Sequence, residues 1–182
     1  MSATFCPSIR PTRRAADGGS AVDNRGNLPI VRSDSDCEGP DTMSGYDDGN
    51  IFAKILRGEI PSQKLYEDDT ALAIMDVMPE SKGHCLVIPK APSRNILDAA
   101  DETLGAVMPV VAKLARAVKK AFDADGVRIA QFNETAGGQT VFHLHFHVLP
   151  VYAGVPLKKH SDGMADPDML AEHAALIRAA LD

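Results

Sequence analysis

Gly137-Gly138-Gln139-Thr140-Val141-Phe142-His143-Leu144-His145-Phe146-His147-Val148-Leu149 decides how the rest of the chain reads. Three of the six histidines stand at alternate positions within five residues, each separated from the next by an apolar side chain. Alternation is the signature of an extended strand, so residues 141–149 are expected to form one. His143, His145 and His147 would project from one face, with Phe142, Leu144, Phe146 and Val148 on the other. Like-facing side chains on a strand stand about 6.6–6.8 Å apart, close enough for one imidazole to meet a reacting atom while its neighbours hold groups on either side. Imidazole changes role between base, nucleophile and acid near neutral pH. Three in register point to catalysis or to metal binding.

Outward from that stretch the chain reads as strands interrupted by one long helix. Asn50 is a helix cap for residues 51–57, whose Ile51, Phe52, Ile55 and Leu56 share a side, and Gly58 supplies a stop. Residues 64–67 and 70–75 about the Asp68-Asp69 turn form a hairpin, and 84–88 a third, largely buried strand. Leu104, Val107, Val111, Leu114, Val118 and Phe122 keep helical period, with Asp101 as the candidate N-cap and Gly126 just past the end. Pro109 falls inside that pattern and is expected to kink the helix or shift its start. Residues 127–131 add a strand antiparallel to 141–149, and residues 168–181 form a C-terminal helix. This order gives an α+β fold, a mostly antiparallel five-stranded sheet with one long helix on the face opposite the histidines.

A chain of 182 residues with 45% hydrophobic content supports one domain plus tails. Residues 1–46 lack sustained apolar periodicity and read as a disordered extension, leaving 47–182 as the domain. Arg13-Arg14 is followed by Ala15-Ala16-Asp17-Gly18-Gly19 where a twin-arginine signal needs an apolar core, and Met43 is an alternative start. The net charge of −6 gives no basic footprint for polymeric nucleic acid, so a nucleotide partner is expected to be small. Cys6, Cys37 and Cys85 are odd in number and scattered, which fits neither a disulfide framework nor a paired-cysteine metal site. No apolar run reaches the roughly 18–20 residues of a membrane span. The expectation is a soluble cytoplasmic protein.

A neutral imidazole is a competent nucleophile toward phosphorus, and it needs an anion holder beside it. Gly137 and Gly138 can turn backbone N–H groups inward as a nest, with Gln139 and Thr140 adding side-chain donors. Zinc is the rival reading, because His-x-His offers two ligands from one strand, but no cysteine or carboxylate lies near in sequence to complete a site. The plain alternative is a surface strand whose polar face happens to be histidine.

The arrangement of three histidines alternating with apolar residues resembles the signature of the histidine triad family. Asn50-Ile51-Phe52-Ala53-Lys54-Ile55, Gly58-Glu59-Ile60-Pro61, Tyr66-Glu67-Asp68-Asp69, Met75-Asp76-Val77-Met78-Pro79 and Gly83-His84-Cys85-Leu86-Val87-Ile88-Pro89-Lys90 extend the resemblance over residues 50–150. It implies a homodimeric α+β protein that hydrolyses or transfers nucleotidyl groups at the α-phosphorus of a purine nucleotide. His145 would be the nucleophile, supported by His143 and His84, with His147 at the phosphate or leaving group. Thr140 would stand near the scissile bridge and Gln139 beside the phosphate. Asp76 would bind the ribose hydroxyls, with Ile51, Phe52, Ile55, Ile74 and Val77 around the base or simply packed in the core. Either Phe132 or Asn133 would fill the nucleotide-contacting position of their loop.

Zinc-bearing members of the family hold the metal with two cysteines, a later histidine and the first triad histidine. Three of those positions are here Asn50, Ala53 and about Pro92, so neither a metal nor another cofactor is expected. A third histidine in place of glutamine favours hydrolysis over uridylyl transfer. The leading expectation is a nucleoside phosphoramidate hydrolase. A dinucleoside polyphosphate hydrolase and a nucleotide-binding regulator with incidental turnover are the alternatives.

Overall fold

The computed structural model describes residues 45–159 and 163–181. Residues 1–44 of the expected extension, including Cys6 and Cys37, and also His160, lie outside them. Asn50 caps α1 (Ile51–Leu56), its side chain accepting from the Ala53 N–H, and Gly58 at φ 77° turns the chain away. A hairpin of β1 (Lys64–Glu67) and β2 (Ala71–Met75) follows. Asp68 shapes its turn by accepting from the Thr70 and Ala71 backbone N–H groups. Then come β3 (Cys85–Pro89), α2 (Asp101–Ala121), β4 (Gly126–Ala130), a 3-10 turn at Thr135–Gly137, β5 (Phe146–Val151) and α3 (Pro167–Ala180). The sheet order is β1-β2-β3-β5-β4, with every pairing antiparallel. This is the expected α+β architecture.

The sheet is buried on both faces at its centre. Ala71, Ala73, Met75, Cys85, Val87, Phe146 and Val148 face α2, which presents Val107, Val111, Leu114 and Val118 to them. Leu72, Ile74, Leu86 and Ile88 face the other way, under Phe52 and Ile55 of α1. Each such side chain removed from water contributes ~1.5–3 kcal/mol, so the two small cores hold α1 and α2 on opposite faces of one sheet. Among the described residues no helix is long and apolar enough to cross a membrane.

Three local expectations differ from the structure. Ala100, not Asp101, is the N-cap of α2, and it makes no side-chain cap bond. Asp101 and Glu102 instead occupy the first turn, where the helix dipole favours acids. Pro109 neither ends nor delays α2, which is assigned unbroken from Asp101 to Ala121. The reversal after the helix falls on Asp123 at φ 48°, and Gly126 is the first residue of β4.

A further difference shapes the site. β5 begins at Phe146, so His143 and His145 precede the strand that was expected to carry all three histidines. The β3–β5 register pairs Val87 with Phe146, and its continuation would set Pro89 opposite Leu144. Proline has no N–H for the ladder. The Pro89 carbonyl accepts a hydrogen bond from His143 Nε2 instead, and the Leu144 N–H donates to the Ser93 carbonyl at 2.8 Å. Alternation of faces survives without the ladder, since Leu144, Phe146 and Val148 all reach the α2 core. Phe142 does not. Its ring carries the Arg94 guanidinium at 3.9 Å.

Candidate active site

Hydrogen-bond partners assign a proton to one nitrogen of each histidine. His143 Nε2 lies 2.8 Å from the Pro89 carbonyl, which can only accept, so the proton is on Nε2. Its Nδ1 then accepts, from the Tyr46 hydroxyl at 2.6 Å. Burial pulls the His143 pKa below the usual histidine value, opposed by the Pro89 bond, so the ring stays neutral. His145 Nδ1 lies 2.7 Å from the His143 carbonyl, so its proton sits on Nδ1 and its lone pair on Nε2. Phe52 packs edge-on against that ring at 4.8 Å between centroids. An imidazole anchored at one nitrogen with its lone pair at the other is what a nucleophile requires.

His147 sits beside it, with ring centroids 5.0 Å apart. The Glu80 N–H donates to His84 Nδ1 at 3.2 Å, leaving the His84 proton on Nε2, which donates to His147 Nδ1 at 2.9 Å. His147 therefore carries its own proton on Nε2. Asp76 is buried, and its Oδ2 lies 3.5 Å from His84 Nε2 and 3.9 Å from His147 Nδ1. Its Oδ1 accepts from the Met78 N–H. The carboxylate thus faces both rings and supplies the counter-charge an imidazolium needs.

Asp76, His84 and His147 also form a group able to hold a metal ion, with their ligand atoms within 4.8 Å of one another. The bond from Glu80 argues for a proton there instead, because it leaves the His84 nitrogen that faces the group protonated. The zinc site implied by the family resemblance fits no better. Asn50 spends its oxygen on the Ala53 N–H, Ala53 has no donor atom, and both ring nitrogens of His143 are hydrogen-bonded. Elemental analysis of the purified chain is expected to find well under one zinc per protomer, and a chelator to leave both turnover and melting temperature unchanged. A stoichiometric metal would refute these proton assignments.

The glycine loop is built differently from the expected nest. The N–H groups of Gly137, Gly138 and Gln139 bond to the carbonyls of Glu134, Thr135 and Glu134, closing the turn on itself. Gln139 is buried, and its amide is spent inside the protein. Its Oε1 accepts from the Glu134 N–H and Asn95 Nδ2, and its Nε2 donates to the carbonyls of Arg94 and Val141. It latches the loop instead of offering protons to a phosphate. Glu134, at φ 61°, is clamped by both Arg94 and Asn95. Thr140 is exposed and lines a cavity of about 450 Å³ with Asn50, Ile51, Arg94, Val141 and Phe142.

The remaining expected residues divide. Phe52, Ile55 and Ile74 are core on the α1 side, whereas Ile51 and Val77 are about half exposed. Phe132 packs its ring against His147 at 5.4 Å, while Asn133 binds the Ile96 N–H and Gln131. Phe132 is thus the member of that pair beside the triad. Tyr46 was not anticipated, because it precedes every recognisable motif. Cys85 is fully buried, and its thiol pKa is pushed well up by that burial. His173 packs on Phe122 in the helical core.

The HIT domain model matches residues 57–154, more than half of the chain. The protein belongs to the HIT family. It is 32% identical to the adenylylsulfatase HINT3 of Arabidopsis thaliana over 161 residues, covering 85% of this chain and 75% of that one. It is 40% identical to the adenosine 5'-monophosphoramidase hnt1 of Schizosaccharomyces pombe over 100 residues, covering 55% and 72%. The fold matches a crystal structure of a Hit-like protein from Bartonella henselae with a TM-score of 0.71 and 54% identity, covering 75% of this chain and all of that one. At family level these likenesses support a nucleotide hydrolase built on the histidine triad.

Proposed function

We propose that this HIT protein hydrolyses adenylyl-type compounds, above all nucleoside phosphoramidates, at the α-phosphorus through a covalent nucleotidyl-histidine. The observation that carries the reading is the anchored His145, whose Nδ1 proton is held by the His143 carbonyl while the His147 ring stands beside it at 5.0 Å between centroids. Nε2 of His145 forms the bond to phosphorus as the bond to the leaving nitrogen or oxygen breaks. For this step the His84–His147 pair takes up one further proton at His147 Nδ1, and the His84 and His147 N–H groups then share the Asp76 carboxylate, whose Oδ2 lies 3.5 and 3.9 Å from them. His147 passes its Nε2 proton to the leaving atom. Water then attacks phosphorus, gives a proton back to His147 and releases the nucleoside monophosphate from His145.

Thr140, exposed at the cavity, is the side-chain donor nearest in sequence to the triad, and Ile51 and Val77 are apolar surfaces open to a base. Asp76 serves the histidine pair in this arrangement, and a ribose contact would draw on the same carboxylate. Incubation with an adenosine phosphoramidate, adenylyl sulfate and a diadenosine polyphosphate, products separated by chromatography, tests the reading. The expected result is adenosine monophosphate from the phosphoramidate with the highest kcat/KM. Preferred cleavage of the polyphosphate would reassign the leaving group. Tight binding of adenosine monophosphate with negligible turnover of all three would overturn hydrolysis.

A second copy of the chain is the partner this reading includes. β4 lies at the edge of the sheet, with the exposed apolar side chains of Ile129 on it and Phe132 just past its end.

A further inference from the structure

Tyr46 lies outside the segment matched by the family model, yet its hydroxyl makes a 2.6 Å bond to a triad histidine. We propose that Tyr46 is a positioning residue for the nucleophile, holding the His143 ring in one tautomer and one rotation so that the His143 carbonyl can hold the Nδ1 proton of His145. This role rests on the functional reading above and adds to it a residue that acts through another.

The bonds run in one direction. Asn50 Nδ2 donates to the Tyr46 oxygen at 3.2 Å, Tyr46 donates to His143 Nδ1, His143 Nε2 donates to Pro89, and His145 Nδ1 donates to His143. Moving the His143 proton to Nδ1 would set Nε2 lone pair against the Pro89 carbonyl. The Tyr46 oxygen would then face two donors, with its own proton displaced. Pro89 and Tyr46 therefore select the same tautomer from opposite sides of the ring. Burial raises the Tyr46 pKa above the usual phenol value, which keeps the hydroxyl a donor.

The hold on His143, two residues before His145, matters because residues 141–145 lie outside the β ladder. Their backbone is held by separate ties, the Leu144 N–H to Ser93 and the His143 ring to Pro89 and Tyr46. Tyr46 and Phe52 also flank that ring edge-on, at 5.5 and 6.5 Å between centroids. His143 is 1% exposed, so water has no access to replace a lost donor. Without the hydroxyl, a buried lone pair is left unmet, and the ring must move to satisfy it.

Tyr46→Phe in the full chain is the test, because it removes one oxygen and keeps the ring. The expected result is a fall in kcat of about tenfold with KM within about twofold. Long-range proton–nitrogen NMR of the histidine rings is expected to show His145 as a single Nδ1–H tautomer in the parent chain and as a mixture in the variant. An unchanged kcat with unchanged His145 signals would overturn the proposal. So would a loss of kcat that merely follows a lowered melting temperature while His145 keeps its single tautomer. The spectra need no substrate. A parent chain that turns over no nucleotidyl compound would sink the functional reading while the tautomers still decide Tyr46. Should Tyr46→Phe fail to fold, 3-fluorotyrosine at position 46 is a stronger donor of nearly the same shape. It shifts the His143 Nδ1 resonance if the bond exists, and an unmoved resonance overturns it.

Discussion

Replacing His145 by alanine abolishes turnover, a loss on the order of 10³-fold or more, while nucleotide binding persists. Neither neighbouring triad imidazole can substitute for it. His143 Nε2 is bonded to Pro89 and its Nδ1 to Tyr46, and His147 Nδ1 faces His84. The measurement is acid-quenched trapping of a labelled nucleotidyl adduct, present on the parent chain and missing from the variant. His145→Asn serves as a second variant, since its amide can still donate to the His143 carbonyl and keep the local backbone in place. An adduct that forms on either variant would move the nucleophile elsewhere.

Gly83→Ala is expected to be the most damaging change outside the triad, lowering stability by about 2–5 kcal/mol and the melting temperature by roughly 6–15 °C. Two costs add. Gly83 sits at φ 81°, a conformation a side chain resists, and an added Cβ would lie under 3.0 Å from three carbons of the Phe122 ring. Phe122 cannot yield easily, because His173 packs on its ring at 5.2 Å and Tyr152 donates to its carbonyl at 3.0 Å. His84 is the next residue, so the displacement should reach the His84–His147 bond and reduce kcat as well. Gly105→Ala is the control. It lies exposed within α2, with no atom within 4 Å of the added carbon, and is expected to gain about 0.5–1 kcal/mol. Thermal unfolding of the two variants in parallel checks both signs, and equal melting temperatures would refute the account.

The two expected effects mark the boundary between what was legible in the chain and what was not. Periodicity is a local property, so α1, the hairpin and α3 could be read to within a residue or two of their ends, and α2 at its start. The alternating histidines likewise announced the face opposite the long helix. Differences clustered where a polar group had to choose among distant partners. Pro89, remote in sequence, denies β5 its first residues by offering no N–H to the strand beside it. Gln139 looked like a phosphate donor because its sequence neighbours are glycines, yet Asn95 and Arg94 come from across the fold to consume its amide. Asp76 matched a ribose contact by position, and only the packing of β3 against β5 brings His84 and His147 to its carboxylate.

By itself the sequence determined the candidate reactive groups, the α+β class and the order of its elements, because side-chain chemistry and hydrophobic period are carried by neighbouring residues. The tertiary structure alone decided where each proton sits. A histidine's tautomer follows from whichever acceptor or donor meets its two nitrogens, and here those are Pro89, Tyr46, Glu80 and the His143 carbonyl. Three of these four belong to segments far from the triad in the chain, so no reading of the triad's own neighbours could have told the nucleophile's lone pair from its proton.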